Sequence, residues 1–283
     1  MPSSDTVPRP AEWPRSTRPA VVAAFAFVAV VLVLVPVALA LYYFRNGRQA
    51  TGGYSLALAV IALLVLWVGY ETRFRGHTST DSIGSRGTDD GRAGLEIPYS
   101  ASLYRGYGAL MTAIALLFAT AAGHALTVPG TGYANSGYLF AALAAVFASF
   151  PALMATGRFA RGRVLLTPEG IHQRGWTFES FLRWQDVVGI YPTYRDCPVV
   201  VVRATDNAAW RRRQITRLWR QDRLPGTRRG EREVPMIVIP GKFLSADPVI
   251  VYHLLGYYLE HADARAELGT EAAVRRARAA AFG

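Results

Sequence analysis

The amino-acid sequence predicts a four-helix transmembrane bundle followed by a cytoplasmic α+β domain. Four long stretches between residues 20 and 157 contain no Asp, Glu, Lys or Arg. After residue 157, short apolar runs alternate with turns and end in one amphipathic stretch, as strands followed by a helix would. Only 18% of the 283 residues are charged, against about 25% in an ordinary soluble domain. This composition excludes a wholly soluble globular protein and a disordered chain.

The four predicted spans are residues 20–43, 53–70, 107–126 and 137–157. Each reaches the ~18–20 residues that an α-helix needs to cross about 30 Å of hydrocarbon. The first is too long for the apolar part of a cleaved signal peptide. Ion-coupled transporters usually hold a carboxylate or a cation inside the membrane. The absence of such residues from the spans argues against that class.

Arginine placement predicts the orientation. The segment before span one, the loop between spans two and three and the start of the C-terminal region hold most of the arginines that flank the spans, whereas residues 127–136 hold none. Because cytoplasmic loops are enriched in Lys and Arg, both termini are expected in the cytoplasm, with the spans in the cytoplasmic membrane. Residues 1–19 are expected to be a disordered lead, and residues 71–103 a flexible cytoplasmic loop.

Small residues recur at a spacing of four in the last two spans, which lets helices approach closely. These positions are Gly137, Ala141, Ala145 and Ser149 in span four, and Ala115, Ala119 and Gly123 in span three. They predict a packing face, either within the bundle or between protomers of a homo-oligomer.

The C-terminal domain is predicted to occupy residues 158–268. A hairpin over 163–175 turns at Pro168-Glu169-Gly170. Further strands are expected over 181–191, 198–203 and 234–239. Asp247 and Pro248 then open a helix that is expected to end near Leu268, where Gly269 can cap it. Residues 269–283 are expected to be a polar tail.

Two segments of this domain resemble the bacterial pleckstrin-homology-like (PH-like) domain. They are the hairpin from Val164 to Ile171 and the segment from Leu182 to Val188, which contains Trp184 and Asp186. Together with the preceding spans, they resemble uncharacterised actinobacterial multi-pass membrane proteins with such a domain. The resemblance implies a curled antiparallel sheet capped by a C-terminal helix, and a scaffold that binds lipid head groups or peptides. The acidic Glu169 in the first turn departs from the basic hairpin of eukaryotic lipid-binding members.

Residues 210–232 form a basic insertion with nine arginines and only two acidic residues. On a helical projection Ile215, Leu218 and Trp219 share one face, which is typical of a helix in a membrane interface. The predicted lipid- or partner-binding residues are Arg211, Arg212, Arg213, Arg217, Trp219, Arg220, Arg223, Arg228 and Arg229. Anionic head groups are the expected ligand. A solvated loop and a site for an acidic protein remain alternatives, while no base-stacking motif favours nucleic acid.

No catalytic, metal or cofactor motif is present. The sequence contains no Gly-x-Ser-x-Gly, His-Glu-x-x-His or Cys-x-x-Cys. His253 and His261 lie eight residues apart on the last predicted helix, about 12 Å along its axis, which is too far to share a metal. We therefore expect a non-enzymatic membrane scaffold whose cytoplasmic domain docks anionic lipid or a protein partner. The alternative is an accessory subunit of a membrane transport or cell-envelope assembly.

Overall fold

A computed structural model of the chain describes residues 7–14, 19–74, 80–87, 93–127, 134–219 and 234–282. The chain divides into two compact units. The helical unit contains Ser16–Phe74 and Ser102–Phe159. The sheet unit is assembled from three separate stretches, Met1–Arg15, Arg75–Ala101 and Ala160–Gly283.

The helical unit consists of the four predicted spans. They are α1 (Pro19–Arg45), α2 (Gln49–Arg73), α3 (Ala101–Thr127) and α4 (Ala134–Ala155). All four helices are long and apolar enough to cross a membrane, which confirms the span predictions. Many of their large apolar side chains are exposed, including Phe27, Leu63 and Leu139. In water such exposure would be costly, whereas lipid tails solvate these side chains as well as a protein interior does.

Aromatic and small residues join neighbouring helices. Phe118 of α3 stacks on both Phe140 and Phe147 of α4. Gly69 of α2 faces the Phe25 ring of α1, where a Cβ would lie 3.3 Å from the ring. These contacts replace the hydrophobic driving force that is absent between helices in lipid.

The predicted small-residue face is only partly used within the chain. Gly137 is buried against Leu126, whereas Ala119, Ala141 and Ala145 are exposed. Self-association through this face therefore stays a prediction.

Glu71 is a buried carboxylate near the end of α2. It is 5% exposed, and the hydroxyl of Ser102 in the first turn of α3 donates a 3.0 Å hydrogen bond to it. A helix N-terminus favours a negative charge because its first N–H groups point outward. The hydrogen bond from Ser102 and the start of α3 thus accommodate the Glu71 carboxylate at this end of the helices.

Within the described residues, the sheet unit contains nine strands in two antiparallel sheets. The strands are β1 (Gly84–Gly87), β2 (Ala93–Pro98), β3 (Arg163–Thr167), β4 (Gly170–Arg174), β5 (Phe178–Arg183), β6 (Val187–Arg195), β7 (Cys197–Ala204), β8 (Arg211–Gln214) and β9 (Met236–Pro240). A six-stranded sheet has the order β1-β2-β3-β4-β5-β8, and a three-stranded sheet has the order β6-β7-β9. Antiparallel pairing and the hairpin β3–β4 match the prediction. The single curled sheet does not, because the described strands form two sheets.

The loop between spans two and three is not a flexible connection throughout. It supplies β1 and β2, and β2 pairs with β3 from Leu95 to Pro98, with Ile97 opposite Val164. Leu95 and Ile97 are fully buried. Two alternating apolar residues are too few to predict a strand unless the strand that pairs with them is known. The surrounding Gly, Ser and Arg residues are typical of a loop.

The predicted strand over 181–191 is divided between the two sheets. β5 ends at Arg183, a 3₁₀ turn covers Trp184–Asp186, and β6 begins at Val187. The buried Trp184 indole donates a 2.8 Å hydrogen bond to the Thr167 carbonyl. This turn moves the chain from one sheet to the other.

Tyr99 and Gln173 connect the two sheets. The Gln173 side-chain amide donates to the Tyr99 hydroxyl at 2.9 Å and to the Val238 carbonyl of β9 at 2.7 Å. Burial raises the pKa of Tyr99 to about 12, and the hydrogen bond from Gln173 opposes this only in part. A buried polar network of this kind fixes the register of the elements that it joins.

The C-terminal helix is shorter than predicted, and the tail is ordered. Asp247 caps α5 (Pro248–Glu260), as expected, by accepting a hydrogen bond from the Val249 amide. However, α5 ends at Glu260 and not near Leu268. The predicted polar tail instead forms α6 (Glu271–Ala279), which buries Ala273, Val274 and Ala277. Three small apolar positions are enough to dock a short helix when its remaining face is charged.

The N-terminal lead is also partly ordered. Residues 7–14 belong to the sheet unit, and Trp13 is 2% exposed. The prediction of disorder for residues 1–19 is therefore wrong for this segment, because one aromatic anchor outweighs a Pro-rich polar composition. Residues 1–6 and 15–18 lie outside the described part of the chain.

Glu267 holds the C-terminal elements together. It accepts hydrogen bonds from the Arg276 guanidinium at 2.6 and 3.2 Å and from the buried Tyr258 hydroxyl at 2.8 Å. The Arg276 guanidinium holds the pKa of Glu267 below its ordinary value, against the opposing effect of burial. Burial raises the pKa of Tyr258.

This cluster predicts a loss of stability in acid. A carboxyl group with a lowered pKa in the folded state stabilises the fold above its unfolded pKa of about 4.3, and this contribution is lost as the pH falls through the folded pKa. The melting temperature of Glu267→Gln is therefore expected to lie below that of the wild type at pH 7, with a difference that shrinks below about pH 4.5. Glu260→Gln, at an exposed position of α5, is the control and should leave the pH profile unchanged. A difference that persists unaltered at pH 4 would contradict the assignment.

Candidate functional site

The six-stranded sheet has one apolar face and one face that carries arginines together with the buried side chains of Leu165 and Phe181. Residues opposite each other in an antiparallel pair lie on the same face. Following the register from β2 to β5, one face contains Leu95, Val164, Leu166, Ile171 and Leu182. All five are fully buried, so this face belongs to the core.

The opposite face is named the arginine face here. The register places on it six arginines, two glutamates and one histidine, which are Arg86, Arg163, Arg174, Arg183, Arg211, Arg213, Glu96, Glu179 and His172. The sheet thus gathers arginines from five strands that are up to 127 positions apart in sequence onto one surface.

Two of these arginines are neutralised by neighbouring carboxylates. Arg86 pairs with Glu96 at 3.1 Å, and Arg174 pairs with Glu179 at 3.4 Å. Within the described residues, Arg163, Arg183, Arg211 and Arg213 have no carboxylate within 4.0 Å. Arg183, Arg211 and Arg213 are exposed. The face therefore keeps an uncompensated positive charge concentrated toward its β8 edge.

An aromatic pair lies beneath the exposed arginines at this edge. The Phe181 ring is buried, and its centroid lies 4.2 Å from that of His172. The Arg211 guanidinium carbon lies 4.9 Å above the Phe181 ring. A cation–π contact at an exposed site contributes about 0.5–1 kcal/mol and orients the guanidinium without neutralising it. Arg211 thus keeps its N–H donors available for an anion.

The predicted site residues are brought together only in part. Arg211 and Arg213 lie on the arginine face, whereas Arg212 points to the other side, above the Trp210 ring at 5.5 Å. Arg217 is exposed after β8, and Trp219 is half-buried with a φ of 57°. Arg220, Arg223, Arg228 and Arg229 lie outside the described residues.

The start of the basic insertion is a strand and not an interfacial helix. β8 pairs with β5, placing Arg213 opposite Glu179. The Trp210 indole donates to the buried Ser180 hydroxyl at 2.8 Å, and the Ile215 amide donates to the Thr177 carbonyl at 2.8 Å. These bonds hold both ends of the segment along the sheet edge. Ile215, Leu218 and Trp219 follow this strand and are not helical, whereas residues 220–233 lie outside the described part of the chain.

Sequence reasoning missed the arginines of β1, β3, β4 and β5. One signal was present. The turn at Pro168-Glu169 fixes the hairpin register, and that register places Arg163 opposite Arg174. Arg86 and Arg183 required the pairing of β1 with β2 and of β4 with β5, which local pattern does not give.

The described residues include the catalytic and metal-binding candidates of the sequence, which are Cys197, His253 and His261. They contain no group of three or more His, Cys, Asp or Glu side chains that could hold a metal ion. Cys197 is buried, and burial raises the pKa of its thiol, which disfavours the nucleophilic thiolate. His253 lies against Pro8 and His261 against Tyr257. These three side chains are accounted for by packing and local hydrogen bonds.

The chain matches no protein-family model, no curated protein and no solved structure in comparisons with each.

Proposed function

We propose that this protein is a non-enzymatic integral membrane scaffold whose sheet unit docks on anionic lipid head groups. The observation that carries the proposal is the arginine face, with four arginines that lack a carboxylate partner among the described residues. Guanidinium groups bind phosphate oxygens through paired N–H donors. Each basic residue near an anionic leaflet contributes about 1 kcal/mol of attraction.

The arrangement of the chain supports a location beside the membrane. The three stretches of the sheet unit are separated by two apolar helices each, so a chain that crosses a membrane four times returns each stretch to the same side. The distribution of arginines around the spans favours the cytoplasmic side, with both termini there. On that side the leaflet carries the anionic lipids that the arginine face would bind.

We also infer that the sheet unit is a divergent PH-like domain. The hairpin β3–β4, the Trp184 turn and a helix after the last strand support this inference. Two features distinguish it from the expected pattern. Strands β1 and β2 come from the loop between spans, and the basic residues lie on a sheet face and not in the first hairpin turn.

The lipid proposal predicts protection of β5 and β8 from hydrogen exchange. The full chain is reconstituted in nanodiscs of neutral phosphatidylcholine, with or without phosphatidylglycerol. Amides of β8 are expected to exchange severalfold more slowly in the anionic nanodiscs, and high salt should remove the difference. Changing Arg183, Arg211 and Arg213 to Ser should abolish this protection, since about 1 kcal/mol per residue corresponds to roughly fivefold each in binding.

A second triple variant separates a site from bulk charge. Arg195, Arg203 and Arg275 are exposed and lie off the arginine face, so changing them to Ser removes the same charge. This variant should keep the lipid-dependent protection. Equal exchange of wild-type β8 in both kinds of nanodisc would refute lipid docking. If both triple variants lost the same amount of protection, binding would depend on the net charge of the protein and not on the arginine face.

A further inference from the structure

The N-terminal segment of residues 7–14 is bound to the sheet unit through one tryptophan. The Trp13 indole N–H donates a 3.0 Å hydrogen bond to the Thr193 carbonyl of β6. Its ring meets the Tyr252 ring of α5 edge-on, with centroids 6.0 Å apart. Trp13 is therefore almost fully buried, and its one polar side-chain atom has a hydrogen-bond partner. Tryptophan is enriched among binding hot spots, which lie in well-packed pockets, and its N–H usually finds a partner when it is buried.

A second contact fixes the other end of the segment. The Pro8 carbonyl lies 2.8 Å from Nε2 of His253, which must donate this bond because a carbonyl can only accept. The His253 ring is in turn stacked on Phe282 near the end of the chain. We name the surface formed by Thr193, Tyr252, His253 and Phe282 the Trp13 groove.

The segment is organised for binding by its own sequence. Pro8, Pro10 and Pro14 restrict its backbone, and the Trp13 amide donates to the Pro10 carbonyl at 3.2 Å to close a turn. Restricting a peptide before it binds reduces the entropy lost on binding. The segment forms neither helix nor strand. Its contacts resemble those of a short peptide recognised by a domain, with one anchor side chain and one bond to an edge-strand carbonyl.

We propose that the Trp13 groove is a recognition site for short proline-rich peptides with a single tryptophan, and that residues 7–14 are its ligand within the same chain. The groove lies on β6 and α5, whereas the arginine face lies on the six-stranded sheet. The site is thus independent of lipid docking. A ligand tethered to its own site acts at an effective concentration near 1 mM. It therefore keeps the groove closed to a free peptide of similar affinity.

Peptide binding to the full chain in nanodiscs tests this site. The probe is a fluorescent synthetic peptide with the sequence of residues 5–16, followed by anisotropy. Trp13→Ala empties the groove and is expected to bind the peptide at least about tenfold more tightly than the wild type, whose own segment competes. Trp67→Ala, at an exposed position of α2, should behave as the wild type. A control peptide with Ala in place of its Trp should bind neither the wild type nor either of these two variants.

Two further variants keep the result interpretable. A chain without residues 1–14 empties the groove by a second route and should match Trp13→Ala. Adding His253→Ala to Trp13→Ala removes a groove contact and should weaken peptide binding tenfold or more, with the far-ultraviolet spectrum unchanged. The proposal is wrong if neither emptied chain binds the peptide, or if the alanine peptide binds them equally well.

Discussion

A fragment that begins at Arg158 is expected not to fold, although it contains seven of the nine strands in the described part of the chain. It lacks β1 and β2, and with them the side chains of Ile83, Leu95 and Ile97, all fully buried in the sheet unit. Removing one such side chain from a core costs about 2–5 kcal/mol. The loss of all three side chains is therefore comparable to the whole free energy of unfolding of a typical domain, about 5–15 kcal/mol. The fragment should give no cooperative thermal transition and little dispersion in its NMR spectrum.

A matched fusion should restore the fold without any membrane helix. β2 and β3 are antiparallel neighbours, with Pro98 opposite Arg163, and the Tyr99 amide donates to the Gly162 carbonyl at 2.8 Å. A two-residue Asn-Gly turn between Ser100 and Arg161 could therefore replace α3 and α4 by a hairpin connection. The chain of residues 80–100, Asn-Gly and 161–283 is expected to be soluble and to melt cooperatively. Cooperative melting of the fragment from Arg158 alone would show that β1 and β2 are dispensable.

Local composition was sufficient to predict the helices of the helical unit, but it was insufficient to predict all the strands of the sheet unit. A span is recognised from a single stretch because lipid demands an apolar residue at nearly every position. A strand such as β2 is recognised only through its partner. Leu95 and Ile97 alternate over too few residues to be distinguished from a loop, and their partners in β3 lie about seventy residues away.

The candidate site shows the same division. Arg211 and Arg213 were found because they lie in one basic stretch, and Arg163 and Arg183 were missed because a sheet gathers them from separate hairpins. Trp13 was missed for a related reason. Its Pro-rich surroundings favour disorder, and only the edge carbonyl of Thr193 and the Tyr252 ring give it a buried position.

Gly269→Ala is expected to release the C-terminal helix from the sheet. Gly269 precedes α6 with a φ of +92°, a backbone conformation that side chains rarely adopt. An added Cβ would lie 2.5 Å from the backbone carbonyl carbon of Ala93 in β2, which cannot move without breaking the sheet. A non-glycine residue at such a φ costs about 1–3 kcal/mol, and the close contact of its Cβ with Ala93 costs a similar amount. The melting temperature of the purified protein should fall by several degrees or more.

Gly256→Ala is the matched control for this change. Gly256 lies within α5, and a Cβ there would meet no atom within 4 Å. Replacing glycine by alanine inside a helix stabilises it by about 0.5–1 kcal/mol. The two glycine substitutions are thus expected to shift the melting temperature in opposite directions. Limited proteolysis should also cut Gly269→Ala first near α6, because Arg278 can donate to the carbonyls of Asp81 and Ile83 only while α6 is docked. Equal melting temperatures for the two variants would mean that the contact between Gly269 and Ala93 does not hold the C-terminal helix.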